Sequence, residues 1–283
     1  MSRLLAPGSR STSRAQRGVE IALRSATEIE AMRRAGRVVR AALDAAAAAC
    51  VDGATTFDVN ASAEAAIRRC AERLGTDVRP LFLNYPTYVA GEGFPAVTCV
   101  SVNEELVHGV PGRRVLRRGD VVSIDCGASV DGWCADSAIT VAIEPIADAS
   151  RSLLETTRRV LDVAIEMVRP GRRWSEIAGC MQRLAEEAGL GVVRDYVGHG
   201  IGRRLHEAPE VPGFVDPERE QRDFTLRPGM TLAIEPMLVL GRAATIEGDD
   251  GWTVSTADRL ASAHFEHTIA VTRDGADILT DGR

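Results

Sequence analysis

The stretch SIDCGASVDGWCADSA, residues 123–138, holds two aspartates among residues that are otherwise apolar or small. Asp131-Gly132 is a two-residue turn signal that predicts a β-hairpin. If these residues form the loop, Asp125 and Asp136 lie on the same face of the hairpin as diagonal neighbours. Two half-buried carboxylates this close are unfavourable unless a positive charge lies between them. The hairpin alone leaves two interpretations open: a divalent metal ion, or one aspartate that caps a turn beside a solvated one.

The composition is that of a soluble globular protein, with 283 residues, 45% hydrophobic and 26% charged residues and a net charge of -6. An acidic balance argues against a nucleic-acid or anionic-membrane binder. The sequence has no apolar run of about 18 residues and no apolar segment of a signal peptide. Its six cysteines lack a C-x-x-C spacing, which is typical of reduced thiols. We therefore predict a cytoplasmic protein.

The first 18 residues, MSRLLAPGSRSTSRAQRG, are rich in Ser and Arg and contain no acid. They predict a flexible tail, which we end at residue 21. An organelle transit peptide has a similar composition and is the alternative. From Ser25 onward, apolar residues at three- and four-residue spacing predict a helix that Ser25 or Thr27 caps.

A weak internal repeat follows, with an offset of 118 residues between segments that begin at Ala42 and Val160. Each segment predicts a helix, a glycine turn, an aromatic residue (Phe57 or Trp174) and a second helix. Chance similarity of two amphipathic helix pairs is the alternative. A true repeat would give two related halves with a site between them. Short β-branched stretches such as AVTCVSV, MTLAIEPMLVL and HFEHTIAVT follow the helix pairs and predict an α+β fold.

Two histidines and two glutamates occupy positions that are costly without a function. His199 lies between glycines, which allow a close backbone approach, and His206 follows seven residues later. Glu235 and Glu266 lie inside apolar strand-like stretches with no Lys or Arg nearby in sequence. A salt bridge to a distant part of the fold is the alternative for each glutamate.

The candidate ligands are four carboxylates and one imidazole: Asp125, Asp136, His199, Glu235 and Glu266. This donor set favours Mn, Fe(II), Co or Zn, held as a pair, over a thiolate zinc site. Two divalent ions can lower the pKa of a water molecule and polarise a carbonyl group.

Five motifs in order carry a family resemblance: NEELVHGVP, GDVVSIDCGASVDGWCADSA, GHGIGRRLHEAPEVP, LRPGMTLAIEPM and GWTVSTADRLASAHFEHTIAVT. From about Ala22 to about Thr272, the chain resembles type I methionine aminopeptidases. The resemblance implies the α+β pita-bread fold with pseudo-twofold halves, antiparallel sheet and flanking helices. It makes residues 22–283 a single metallo-aminopeptidase catalytic domain.

The resemblance also assigns roles within the candidate ligand set. It implies that Asp125 and Asp136 bind the metal pair, with Asp136 bridging the two ions. His199 and Glu235 would complete the ligands of one ion, and Glu266 would bridge both. Glu235 would act in addition as the general base.

Further residues receive substrate roles from the same resemblance. His108 would contact the scissile amide, and His206 would hydrogen-bond the substrate carbonyl or the oxyanion. The implied substrate-binding residues are His108, His206, Phe94, Cys99, Leu205 and Trp252. The chain departs from the family pattern at Tyr88, Gly91, Phe94, Leu205 and His264. We therefore expect methionine to be preferred with weaker discrimination than is usual.

The implied activity is removal of the N-terminal methionine from nascent proteins and peptides when the second residue is small. No long insertion separates Glu235 from Glu266, which distinguishes the chain from type II enzymes. The alternatives are an aminopeptidase of altered specificity and an inactive peptide-binding module. The resemblance implies a monomer that acts on peptide N-termini without membrane or specific nucleic-acid partners. A transient ribosome contact through the tail is a further interpretation.

Overall fold

The structure is a computed structural model that describes residues 20–86, 93–216 and 222–283. The predicted tail, up to residue 19, lies outside the described residues. Glu20 to Ser25 form neither helix nor strand. The boundary at residue 21 and the single catalytic domain therefore stay predictions. No helix in the described ranges combines the length and apolar character that a membrane span requires.

The predicted hairpin consists of β4 (Val121–Val130) and β5 (Trp133–Ala142), joined by Asp131 and Gly132. Both loop residues have positive φ angles, 52° and 74°, which match the twist of a two-residue hairpin turn. Asp125 pairs with Ala138 and Gly127 with Asp136, so the predicted register is confirmed.

Two helix pairs flank the strands, as the sequence predicted. The helices are α1 (Ala26–Ala49), α2 (Thr56–Leu74), α3 (Asp148–Met167) and α4 (Trp174–Glu187). Ser25 and Glu28 form a capping box at the start of α1, and Thr55 and Asp58 form another at the start of α2. Of the two predicted caps for α1, Ser25 is therefore the one used.

The internal repeat is visible in matching turns of the two halves. The N–H of Gly53 donates to the carbonyl of Leu116 at 2.9 Å, and the N–H of Gly171 donates to that of Leu226 at 2.9 Å. Both glycines have a φ angle near 90°. They are 118 residues apart, as the predicted repeat requires. The turns therefore support two related halves.

The aromatic residues of the repeat do not correspond. Phe57 is 59% exposed, whereas Trp174 is 1% exposed. The residue 118 positions before Trp174 is Thr56, which is also buried. The predicted match of Phe57 with Trp174 is therefore one residue away from the structural match, which is Thr56 with Trp174.

Antiparallel strands make up the sheets, so the predicted α+β class is confirmed. On one edge of β4 lie β1 (Val78–Pro80) and β2 (Cys99–Val102). A five-stranded sheet has the order β15-β14-β9-β7-β8, and two three-stranded sheets have the orders β13-β10-β6 and β11-β12-β3. These strands are β3 (Glu105–Val107), β6 (Gly191–Val192), β7 (Gly198–Gly200), β8 (Glu207–Val211), β9 (Thr231–Ile234), β10 (Met237–Val239), β11 (Thr245–Glu247), β12 (Val254–Thr256), β13 (Ser262–His264), β14 (His267–Val271) and β15 (Ala276–Ile278).

Each half has its own apolar core, and side-chain hydrogen bonds join the halves between β5 and β14. One core lies under α1 and α2, and the other under α3 and α4. The Thr268 hydroxyl accepts from the N–H of Asp136 at 3.0 Å and donates to its carbonyl at 2.8 Å. The Ser137 hydroxyl donates to the Glu266 carbonyl at 2.6 Å. These bonds place Asp136 and Glu266 side by side.

We expect the Gly36→Ala variant to be destabilised, although alanine is the better helix former by about 1 kcal/mol. A β-carbon at Gly36 in α1 would lie 1.8 Å from the carbonyl oxygen of Leu279. Overpacking of this kind costs about 1–3 kcal/mol. The melting temperature should therefore fall, which thermal denaturation would measure.

The Gly179→Ala variant in α4 is the matched control. Its β-carbon would meet only the side chains of Val215 at 3.3 Å and Arg183 at 3.5 Å, which can shift. Its melting temperature should stay the same or rise. An equal fall in both variants would contradict a specific packing role for Gly36.

Candidate metal centre and active site

The five predicted ligands line one pocket. Asp125 and Asp136 come from the hairpin, His199 from β7, and Glu235 and Glu266 from the residues that follow β9 and β13. One ligand atom each from Asp136, His199 and Glu266 lies within 4.8 Å of the other two. The sequence-predicted set therefore converges.

The glycines beside His199 are required by close packing of its strand. A β-carbon at Gly198 would lie 2.4 Å from the carbonyl oxygen of Ala233, and one at Gly200 would lie 2.1 Å from that of Ala208. Any side chain would push β7 away from its neighbours β8 and β9. The two glycines thus bring His199 to the pocket.

Three of the carboxyl groups are buried with no cation in the described ranges to stabilise their charged form. Asp125 Oδ1 and Glu266 Oε1 are buried without a hydrogen-bond partner among the described residues. Burial and the charge of Asp136 raise the pKa of Asp125 well above its usual range. Burial and the charge of Glu235 raise the pKa of Asp136 to about 7. Burial, with the Asp136 charge next, also raises the pKa of Glu266 well above its usual range.

Glu235 lies between two imidazoles. Its Oε1 is 3.7 Å from Nε2 of His199, and its Oε2 is 3.5 Å from Nε2 of His264. Burial raises the pKa of Glu235, but His264 and His199 outweigh it and hold that pKa below its usual value. His199 Nδ1 is 2.9 Å from the Gly200 carbonyl, and this bond orients the ring with Nε2 toward the carboxylate.

The donor set fits divalent metal ions. Three features are typical of metal ligands. Carboxylate oxygens are buried without partners in the described part of the chain, the carboxyl pKa values are raised, and the His199 ring is held with Nε2 toward the pocket. Across the described ranges, the ion-pair partners of Glu235 are two histidines, and no Lys or Arg pairs with any of the four carboxylates. The salt-bridge alternative for Glu235 and Glu266 thus has no support in these ranges.

His108 is placed at the pocket by a strained turn after β3. Its φ angle is 59°, and a β-carbon at the following Gly109 would lie 2.4 Å from the carbonyl oxygen of Val100. Its ring meets Tyr196 edge-to-face, with centroids 5.5 Å apart. Burial lowers the pKa of His108 well below its usual value. His108 is thus a neutral imidazole on the pocket wall.

His206 also faces the pocket, with its ring centroid 4.3 Å from that of His199. The hydroxyl of Tyr85 is 2.7 Å from Nδ1 of His206. Burial, followed by the nearby His199, lowers the pKa of His206 to about 3. Either atom can donate in this hydrogen bond; where the tyrosine hydroxyl donates, the neutral imidazole carries its proton on Nε2. Sequence reasoning missed Tyr85, because no local motif links it to a histidine 121 positions away.

The predicted pocket residues separate into two groups. Phe94, Cys99 and Trp252 line the pocket, and the Phe94 and Trp252 rings meet edge-to-face at 5.2 Å. Leu205 is buried in an apolar cluster with Trp133 and is not among the lining residues. The positions at Tyr88 and Gly91 lie outside the described residues.

Several lining residues were not predicted as site residues: Phe82, Val107, Tyr196, Val197, Met237 and His264. For two of them, the spacing from a predicted ligand could have indicated a position in the site. Met237 lies two residues after Glu235, which is the spacing of side chains on one strand face. His264 lies two residues before Glu266 in the same way.

Comparisons with known proteins agree with this geometry. The model of metallopeptidase family M24 matches residues 30–273. Methionine aminopeptidase of Aquifex aeolicus is 41% identical over 262 residues, which is 92% of this chain and 99% of that protein. Methionine aminopeptidase 1 of Mycobacterium tuberculosis is 43% identical over 266 residues, 92% of this chain and 94% of that protein.

Solved structures show the same fold. The crystal structure of methionine aminopeptidase from Thermotoga maritima has a TM-score of 0.85 and 40% identity, covering 92% of this chain and 99% of that one. Prolidase from Pyrococcus furiosus, at 23% identity and a TM-score of 0.70, shares the fold alone and covers 92% of this chain and 66% of that one. The resemblance to methionine aminopeptidases and the predicted pita-bread fold are confirmed. The chain belongs to metallopeptidase family M24.

Proposed function

We propose that the protein removes the N-terminal methionine from nascent proteins and peptides, preferentially when the second residue is small. The observation that carries this proposal is the convergence of four carboxylates and one imidazole at a pocket with an apolar wall. The full-length relatives named methionine aminopeptidase support the choice of reaction.

In this proposal the five residues Asp125, Asp136, His199, Glu235 and Glu266 hold two divalent ions. The ions, when bound, polarise the substrate carbonyl and lower the pKa of a water molecule. Their identity among Co, Mn, Fe(II) and Zn is part of the proposal. Membership of a metallopeptidase family supports the use of metal.

Different side chains accept and donate protons in the proposed reaction. Glu235 is ionised, because its imidazole neighbours hold its pKa low, and it accepts the proton of the attacking water. His206 presents its Nε2 proton to the oxyanion, since Tyr85 occupies Nδ1. His108, which lines the same pocket, contacts the scissile amide.

The apolar wall accepts the methionine side chain. Phe94 and Trp252 offer ring faces and edges, and Cys99 adds a small, soft neighbour. A thioether makes favourable contacts with aromatic rings. Leu205 contributes from the apolar cluster behind the wall.

The remaining assignments are also proposals. We place the activity in residues 22–283, in a cytoplasmic monomer that acts on free peptide N-termini. We assign it no membrane and no specific nucleic-acid partner, and a transient ribosome contact through the tail. An inactive peptide-binding module is not favoured, because all five ligands are present. An aminopeptidase of altered specificity differs only in substrate.

Release of methionine from a Met-Ala-Ser peptide tests the function. Metal-depleted protein should be inactive and should regain activity on addition of Mn, Fe(II), Co or Zn. The Asp136→Asn variant should lose at least about 100-fold in kcat/KM, because it removes a charged ligand. Product release by chromatography measures both effects.

The Asp131→Asn variant is the matched control on the same hairpin. Asp131 lies in the turn with positive φ, which asparagine tolerates, and it is outside the pocket. It should retain wild-type activity. No release with any metal would contradict the proposal, and equal turnover of Met-, Leu- and Phe-Ala-Ser peptides would contradict the methionine preference.

We expect Tyr85→Phe to lower kcat about tenfold with little change in KM, because the Nε2 proton of His206 is no longer fixed. Steady-state kinetics on Met-Ala-Ser would measure the change. In a His206→Ala background the same substitution should have no further effect. Additive losses would show that Tyr85 acts independently of His206.

Metal-free protein should lose stability as the pH rises from 6.5 to 8. The pKa of Asp136 is about 7 and those of Asp125 and Glu266 are raised well above their usual range, so the folded state holds protons that the unfolded chain has lost. The free energy of unfolding then falls with rising pH. Burial lowers the pKa values of four histidines, which act in the opposite direction, chiefly below their unfolded value near 6.5: His108, His199, His206 and His267.

Thermal denaturation in EDTA at both pH values measures this dependence. The Asp125→Asn variant should show a smaller fall than the wild type, because it lacks one raised carboxyl group. The Asp131→Asn variant should match the wild type. A melting temperature that rises over this pH range would contradict the charge assignment.

A further inference from the structure

His264 is a buried polar side chain of the pocket that the proposed mechanism does not use. It is 2% exposed, and its Nε2 makes no hydrogen bond within the described residues, although Glu235 Oε2 lies 3.5 Å away. A buried imidazole nitrogen without a partner is costly unless a group at the site satisfies it.

The backbone holds this histidine firmly. The Thr140 hydroxyl accepts from the N–H of His264 at 3.0 Å and donates to its carbonyl at 2.6 Å. His264 pairs with Met237 across β13 and β10, and His267 pairs with Ile234 across β14 and β9. The backbone position of His264 is therefore fixed by β10 and by β5.

This register places His264 next to the carboxylates. The pairing register is the same before and after the two glutamates, so Glu235 lies opposite Glu266. His264 lies two residues before Glu266 on the same face, and diagonally across from Glu235. Its Nε2 is 3.5 Å from Glu235 Oε2.

The two imidazoles beside Glu235 differ in whether their Nε2 can donate a hydrogen bond. Nδ1 of His199 donates to the Gly200 carbonyl at 2.9 Å, so a neutral His199 has only a lone pair on Nε2. That nitrogen, 3.7 Å from Glu235 Oε1, cannot donate to the carboxylate. Of the two imidazoles, His264 is therefore the one that can donate a hydrogen bond to Glu235.

We propose that His264 is a positioning residue, which donates its Nε2 proton to Glu235 Oε2 and thereby directs Oε1 toward the metal pair. The proposal rests on the proposed function, because it takes Glu235 as a metal ligand and general base. Hydrogen bonds from a second group orient ligating carboxylates, and their loss typically weakens metal binding 10- to 100-fold.

Metal affinity tests the proposal without reference to peptide hydrolysis. Metal-depleted wild-type, His264→Leu and His264→Gln proteins are titrated with Mn²⁺ by calorimetry and with Co²⁺ by visible absorption. The leucine variant should bind the ions about 10- to 100-fold more weakly. The glutamine variant retains an N–H donor and should stay within about threefold of the wild type. On Met-Ala-Ser, kcat should follow the same order, with KM nearly unchanged.

His267→Leu is the matched control. His267 is a partly buried histidine three residues away, on the face opposite to Glu266, with Nδ1 2.8 Å from the Thr280 hydroxyl. Its loss removes an imidazole and a hydrogen bond but should leave the metal affinity unchanged. Melting temperatures in EDTA compare the folding of all variants.

The outcomes separate this inference from the proposed function. A leucine variant that binds metal as tightly as the wild type would overturn the role of His264. A glutamine variant as weak as the leucine variant would overturn the donor role, since an imidazole ligand would then be required. Wild-type protein that binds neither ion would overturn the metal site and this inference with it. Metal binding without methionine release would overturn the proposed function alone.

Discussion

The main constraint on the structure is that it holds four carboxylates close together at one pocket. Apolar burial of like charges is unfavourable, and burial raises the pKa values of Asp125, Asp136 and Glu266. The surrounding strands must therefore be held by strong local contacts to keep these side chains together in the absence of metal. The ten-residue strands β4 and β5 and the paired threonine and serine hydroxyls supply those contacts.

The two halves contribute equivalent parts of this site. Leu116 and Leu226 close matching glycine turns, and they are 110 residues apart, like Asp125 and Glu235. Each half thus carries a carboxylate at the same distance from its turn. The halves meet where Thr268 bonds both backbone groups of Asp136, so a shift between them would separate the two aspartates from Glu266.

Local signals predicted the features that depend on neighbouring residues. The Asp-Gly turn set the hairpin register, and Ser25 with Glu28 set the start of α1. Features that arise from long-range pairing were less accessible. The Tyr85–His206 hydrogen bond joins segments far apart in sequence, and Leu205 packs into the apolar cluster instead of lining the pocket. Side-chain direction in a loop cannot be obtained from strand or helix periodicity.

The glutamates differ from the aspartates in how the backbone constrains them. Asp125 and Asp136 lie within the paired strands of a regular hairpin. Glu235 lies between β9 and β10, before Pro236, which has no N–H to donate to the ladder. The backbone of Glu266 is held instead by β5, with its N–H donating to the Ala138 carbonyl at 2.9 Å. The Glu235 side chain is longer than that of either aspartate and lies outside the strands, and the imidazoles of His199 and His264 are near its oxygens, at 3.7 and 3.5 Å.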